Sequence, residues 1–148
     1  MATLKFKNYF IESFSFRENN NFDIESENLD VDFNPKAVVN IIEDADMAAV
    51  LLSCTLGDES KIDCPFTGEV SLTGIFEIEY DKSDNEDVKL ANDFLSQNSI
   101  TILFPYLRSF IADMTLRTNK FPAFILQPFN VVEMVKDKDS VTVRRLKK

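Results

Sequence analysis

With 148 residues, 45% of them hydrophobic, and a formal charge of −9 (16 Lys and Arg against 25 Asp and Glu), the chain is sized for one domain with its own core. The acidic balance excludes a dedicated nucleic-acid binder, whose phosphate contacts need a cationic surface, and suits a basic partner or a cationic peptide. No run approaches the roughly 20 apolar residues of a membrane-spanning helix and residues 1–5 lack the layout of a signal peptide, so a cytoplasmic protein without membrane insertion is expected.

The first half of the chain alternates with period two, the pattern of strands with one buried face. Over residues 4–16 the even positions Leu4, Phe6, Phe10, Phe14 and Phe16 are apolar, against Lys5, Lys7, Ser13 and Ser15. This predicts a first strand. Asn28-Leu29-Asp30-Val31-Asp32-Phe33-Asn34 alternates fully and predicts a second. Residues 34–46 are ambiguous, because Asn34-Pro35 is a helix-start signal while the β-branched run Val38-Val39-Asn40-Ile41-Ile42 favours extended chain; the extended reading is preferred. Residues 47–56 are nearly all apolar, as in a central strand covered on both faces, and Gly57-Asp58-Glu59-Ser60 supplies a turn. Phe66, Val70, Leu72, Phe76, Ile78 and Tyr80 then share one face of a long fourth strand, with Thr67, Glu69, Ser71, Thr73, Glu77 and Glu79 on the other and Ile75 as the apolar exception.

After Tyr80 the periodicity becomes helical. Residues 81–87 form an acidic connection with a capping box at Ser83 and Glu86, leading into a short helix over residues 85–95. A longer helix over residues 100–118 carries Leu103, Tyr106, Leu107, Phe110, Ile111 and Met114 at helical spacing. Residues 123–129, flanked by Pro122 and Pro128, read as extended, and residues 131–135 as a short amphipathic piece. The result is an α+β fold, a four-stranded antiparallel sheet with two helices on one side, as a single domain over residues 1–135 with a charged tail over 136–148.

Signals for chemistry are weak. The chain has no His, no Gly-rich phosphate loop and no Gly-x-Ser-x-Gly elbow, so neither enzyme activity nor a cofactor is expected. Asp30 with Asp32 and Glu77 with Glu79 are spaced for a solvated strand face, whereas acid–base pairs need one partner in a low-dielectric setting. The cluster Asp81-Lys82-Ser83-Asp84-Asn85-Glu86-Asp87 lacks the central Gly and final bidentate Glu of a calcium loop and reads as a solvated connection. Cys54 and Cys64, without a Cys-x-x-Cys pair, read as packing residues rather than a metal or redox site. The basic end Arg144-Arg145-Leu146-Lys147-Lys148 reads as a frayed terminus or a self-pairing arm. The 14 Phe and 3 Tyr, with no Trp and only 3 Gly, can fill a core or line a groove for apolar segments.

One set of motifs narrows the choice. Ile102-Leu103-Phe104-Pro105-Tyr106-Leu107-Arg108, then Lys120-Phe121-Pro122 and Gln127-Pro128-Phe129-Asn130, resembles the SecB family of export chaperones. Glu69-Val70 followed by Gly74-Ile75-Phe76, the alternation of Leu29 to Phe33, and the order of strands before helices extend the resemblance through residue 135. It implies a homotetramer built as a dimer of dimers, and ATP-independent holding of unfolded polypeptide clients in hydrophobic grooves. The groove-lining residues expected on that basis are Leu29, Val31, Phe33, Ile75, Ile78, Phe104, Tyr106, Phe124, Leu126 and Phe129. Glu69 matches a family position that helps dock the SecA translocase ATPase. The chain departs from the family in its basic end, where relatives often carry an acidic SecA-binding tail, and in a post-helix loop without the usual Gly. Two competing functions are a dedicated chaperone for the antitoxin of a toxin–antitoxin pair and an adaptor that binds one folded partner through the sheet face.

Overall fold

The computed structural model describes residues 1–120, 122–127, 133 and 140–146. Strands β1 (Thr3–Glu18), β2 (Phe33–Ile42), β3 (Met47–Leu56), β4 (Phe66–Glu79) and β5 (Val141–Leu146) form one sheet in the order β1-β4-β3-β2-β5. All pairings are antiparallel except β2 with β5, which is parallel. The sheet therefore has five strands where the sequence pattern predicts four. Part of the segment read as a charged tail supplies the fifth.

Strand β3, expected from its apolar run, and β4, expected from its alternation, lie where predicted. Ala48, Val50, Leu52, Cys54 and Leu56 of β3 and Phe66, Val70, Leu72, Phe76 and Ile78 of β4 are all buried on one face. The other face is not covered by any described element: Met47, Ala49 and Leu51 remain half-buried there, so β3 is covered on one side rather than two. The ambiguous stretch is the true β2. Its extended reading holds, while the alternation at residues 28–32 belongs to an irregular segment that precedes the strand. Pro35 is tolerated because Ala37 donates its N–H toward the β5 side (to Ser140 O, 2.7 Å), so the ring nitrogen two residues earlier faces the same edge, ahead of the stretch that β5 pairs.

Two register shifts, between Phe6 and Asn8 and between Ile11 and Ser13, change which side chains of β1 face the core. Leu4, Phe6, Tyr9, Ile11 and Phe14 end on the core side, opposite buried residues of β4, and Phe16 joins them opposite Gly68. Phe10 pairs with Thr73 on the other face. The strict even-position pattern thus fails at Phe10, because each extra residue reverses the parity of the strand.

The two expected helices are one rod. Helix α1 (Asn85–Asp93) passes through a π-helical turn (Phe94–Asn98) into α2 (Ser99–Arg117), and the junction residues Asp93, Phe94, Asn98 and Ser99 all keep right-handed helical backbone. The N-cap is Asp84, whose carboxylate accepts from Glu86 N–H at 3.0 Å, while the Ser83 hydroxyl donates to Asp81 instead. Pro105 lies inside α2, which removes one intrahelical bond and is accommodated on the exposed side. Ile100, Leu103, Leu107, Ile111 and Thr115 face the sheet and are buried. Gly74 lets the rod approach: a Cβ there would lie 2.5 Å and 2.8 Å from the two Leu103 methyl carbons.

The connection entering the rod is solvent-exposed over residues 81–86, as expected, and is tied down at its end. Asp87 is buried and its carboxylate accepts from Ala2 N–H (2.7 Å) and Asp81 N–H (2.6 Å), which joins the start of β1 to the end of β4. These bonds, that to Asp81 first, hold its pKa below the usual carboxylate value.

Candidate functional site

Strands β1 and β2 are separated in the sheet by β4 and β3, so the chain between them must span three strand spacings, about 14 Å. Residues 19–32 make this crossing as a strap held against the loop at residues 57–65. Asn19 is the buried anchor: its N–H donates to Pro65 O at 3.1 Å, and its side-chain amide to Lys61 O (3.0 Å) and Cys64 O (2.9 Å). Further along, Asp23 N–H donates to Ile62 O, Asp30 N–H to Asp63 O, and Gly57 N–H to Asp32 O. Gly57 sits at a φ of +77°, where a Cβ would lie 2.3 Å from Phe66 O, so this turn needs glycine.

These anchors explain the alternation at residues 29–33. Lys61 Nζ lies 3.1 Å from Asp32 Oδ1 and 3.4 Å from Asp30 Oδ2, and the hydrogen bonds, to Asp32 and then Asp30, raise the lysine pKa above its ordinary value. With the two carboxylates turned to Lys61, Leu29 and Val31 project the other way. The period-two pattern is thus satisfied by an ionic latch on one side and an apolar wall on the other, without strand pairing.

The opposite wall is the chain that follows the rod. Thr115, fully buried in α2, donates its hydroxyl to Ile111 O (2.8 Å) and accepts from Phe124 N–H (2.8 Å). That bond brings the Phe124 ring to 5.8 Å from Phe66 in an edge-on contact. Lys120 Nζ pairs with Glu18 Oε2 at 3.0 Å, joining the end of β1 to the same segment.

Between the walls runs a groove that is apolar at its narrow end and mixed in its wider part. One part, about 130 Å³, is lined by Leu29, Val31, Pro65, Phe66, Pro122, Ala123 and Phe124. An adjoining part of about 420 Å³ shares Leu29, Pro65 and Pro122 and adds Phe22, Ile24, Glu18, Asn19, Asn20 and Lys120. Leu29 and Ile24 are strongly exposed, at 53% and 87%, although both are large and apolar. An extended segment could place two or more apolar side chains here, and the strap's acids lie along the same segment as its apolar residues.

The residues singled out from sequence fall in several places. Leu29, Val31 and Phe124 meet in the groove. Phe33 and Phe104 meet each other, with ring centroids 6.3 Å apart. Tyr106 lies on the β1 side of the rod, 4.3 Å from the Tyr9 ring and 5.6 Å from Phe6. Ile78 and Leu126 are buried in the core, and Ile75 is half-buried on the sheet face away from the rod. Phe129 lies outside the described residues. Glu69 is exposed on that outer face and borders a polar hollow of about 510 Å³ with Ser15, Arg17, Asp32 and Thr55. Sequence reasoning missed Phe22, Ile24, Pro65, Pro122 and Ala123. The first two carried a signal, as paired apolar residues in the otherwise polar stretch from Asn19 to Asn28.

The thiols contribute packing. Cys54 is buried among β3 and β4 and its pKa is pushed up to about 12 by that burial. Cys64 is buried under the strap, and its Sγ donates to Phe66 O at 3.0 Å.

A sheet with a helical rod on one face, and an apolar groove between a strap and the post-helix segment, defines an α+β protein with a surface fitted to apolar side chains. The family model described as preprotein translocase subunit SecB matches residues 1–140, so the chain belongs to the SecB family. The uncharacterized protein MJ0357 of Methanocaldococcus jannaschii is 28% identical over 142 residues, covering 95% of this chain and 87% of that protein. Among solved structures, the Mycobacterium tuberculosis Rv1957 SecB-like chaperone, in complex with a ChAD peptide from the Rv1956 HigA1 antitoxin, shares the fold. It superposes with a TM-score of 0.66 at 16% identity, over 85% of this chain and 90% of that one. No described helix is long and apolar enough to cross a membrane.

Proposed function

We propose that this protein is an ATP-independent holdase chaperone that binds unfolded polypeptides and keeps them from aggregating or folding, in an export-competent form. The observation that carries the reading is the groove: an apolar cleft lined by Leu29, Val31, Phe66 and Phe124, opening beside the exposed Leu29 and Ile24 into a wider part of mixed polarity, in the chain of a SecB-family member. Such a cleft offers apolar contact without demanding one side-chain shape, as a binder of many sequences needs. Leu29, Val31, Phe33, Phe104 and Phe124 are the residues assigned to client contact, with Phe22, Ile24 and Pro65 added from the geometry.

The finer expectations belong to the same proposal. Assembly as a homotetramer and SecA docking through the exposed Glu69 follow from the family resemblance, and a cytoplasmic location, expected from the sequence pattern, agrees with it. The experiment is light scattering of a chemically unfolded client diluted with and without the protein, with the assembly mass taken in parallel by sedimentation. Suppression of aggregation at stoichiometric concentration is the expected result, and no suppression of any client would end the holdase reading.

A second reading, that the client is one dedicated antitoxin, is favoured by the antitoxin peptide bound to the Rv1957 structure of the same fold. It requires affinity for that client well above affinity for unrelated unfolded chains. Equal affinities would decide against it.

A further inference from the structure

We propose that the β2 edge of the sheet is a second binding surface for extended polypeptide segments, and that β5 occupies it in cis as a stand-in for such a segment. This inference rests on the holdase reading for the identity of its occupant.

The edge already holds a strand of the chemistry it would accept. Val141, Thr142, Val143, Arg144, Arg145 and Leu146 pair in parallel with residues 37–42 of β2, in the register Ala37 with Val141 through Ile42 with Leu146. Pairing puts Val141, Val143 and Arg145 on the same face as the buried Ala37, Val39 and Ile41. Val141 packs against the core, whereas the five residues after it are all exposed, with Val143 at 47% and Leu146 at 45%. The strand is thus held mainly through its backbone. A parallel pairing at an edge is also the weaker kind, and such edges add a strand from another chain readily.

One side chain fixes the register. The Arg145 guanidinium donates to Asn92 Oδ1 of α1 (2.8 Å), to Glu43 Oε1 (3.4 Å) and to Tyr80 OH (3.4 Å). Glu43 belongs to the 3-10 turn that closes β2, and Tyr80 follows β4, so three elements build a cradle for one guanidinium at the end of the edge that β5 fills. The occupant this surface fits is an extended segment with β-branched apolar residues at two alternate positions and Arg two residues further on. In a chain of net charge −9, a basic segment of that kind is also attracted over distance.

Competition between β5 and a client is the testable consequence, because a site filled in cis lowers apparent affinity by the fraction of time it stays open. Two full-length variants loosen β5 differently: Thr142→Pro places a proline in the paired strand, and Arg145→Ala empties the cradle. The probes are the synthetic peptide Ser-Val-Thr-Val-Arg-Arg-Leu, a version with its second Arg replaced by Ala, and a chemically unfolded client. Circular dichroism establishes that each variant is folded. Both variants are expected to bind the peptide at least about tenfold tighter than the parent protein, less so with the Ala version, and to capture client more tightly with the peptide competing. Folded variants that bind peptide and client no better than the parent overturn the proposal. Peptide uptake by the variants without any client capture by variants or parent would remove the holdase reading itself, and with it the client assigned to this edge.

Discussion

The contact that seats the rod on the sheet gives the sharpest energetic test. Replacing Gly74 by alanine introduces a Cβ 2.5 Å and 2.8 Å from the Leu103 methyls and 3.0 Å from Phe76 Cε2, where carbon atoms normally rest about 3.5–4.0 Å apart. Leu103 and Phe76 are both fully buried, so neither can move aside freely. The overlap is expected to cost about 1–3 kcal/mol, net of the roughly 0.5–1 kcal/mol that alanine gains over glycine in a strand. Leu103→Ala alone should cost about 2.7–5 kcal/mol by leaving a cavity. In the double variant both clashing Leu103 methyls are gone, and the methyl introduced by Gly74→Ala partly fills the space they leave. The two losses should therefore fall short of their sum by at least about 1 kcal/mol. Urea unfolding followed by far-UV circular dichroism, at one fixed protomer concentration, measures all three variants. Additive losses, or a Gly74→Ala protein as stable as the parent, would refute the close approach of α2 to β4.

Thr115→Val keeps the shape of the side chain but removes the acceptor for Phe124 N–H, so stability should drop by about 1–3 kcal/mol; amide exchange at Phe124 should rise, and unchanged exchange would contradict the tether. Asp87 has its pKa lowered on folding, so its contribution is present above the unfolded carboxylate value near about 3.9 and is lost as pH falls through the folded value. Asp87→Asn should accordingly melt earlier than the parent at neutral pH, with the gap closing in acid; a gap that persists at pH 2 would count against the assignment. With its pKa near 12 and its side chain buried, Cys54 should react with a thiol reagent only as fast as the protein opens, and prompt labelling at pH 8 would show the strand is less protected than described.

Strand β4 was legible because a buried face on one side writes period-two alternation into the sequence, whereas β3 was legible as an apolar run, and its apolar outer face hid that only one side is covered. The same alternation at Leu29 to Phe33 misled, since Asp30 and Asp32 turn to Lys61 and not to a solvated strand face. No local pattern distinguishes those two causes. Strand β5 is a parallel partner of a strand about a hundred residues earlier, and its exposed side chains leave no burial pattern to read. The bulges of β1 were hidden for a related reason, because an extra residue is visible only once the partner strand is known. For the groove, Leu29, Val31 and Phe124 were accessible through family resemblance, while Pro65 and Pro122 come together only through the strap and the Thr115 tether.

In the holdase proposed above, unfolded chains lie in the groove between strap and post-helix segment. Methyl resonances of Ile24, Leu29, Val31, Leu51 and Ile75, followed while an unfolded client is added, test it directly. Shifts are expected to concentrate at Ile24, Leu29 and Val31, and to be lost together with client capture in a Leu29→Ser, Phe124→Ser protein that remains folded. Shifts confined to Leu51 and Ile75 on the open sheet face, or full client capture by that variant, would contradict it.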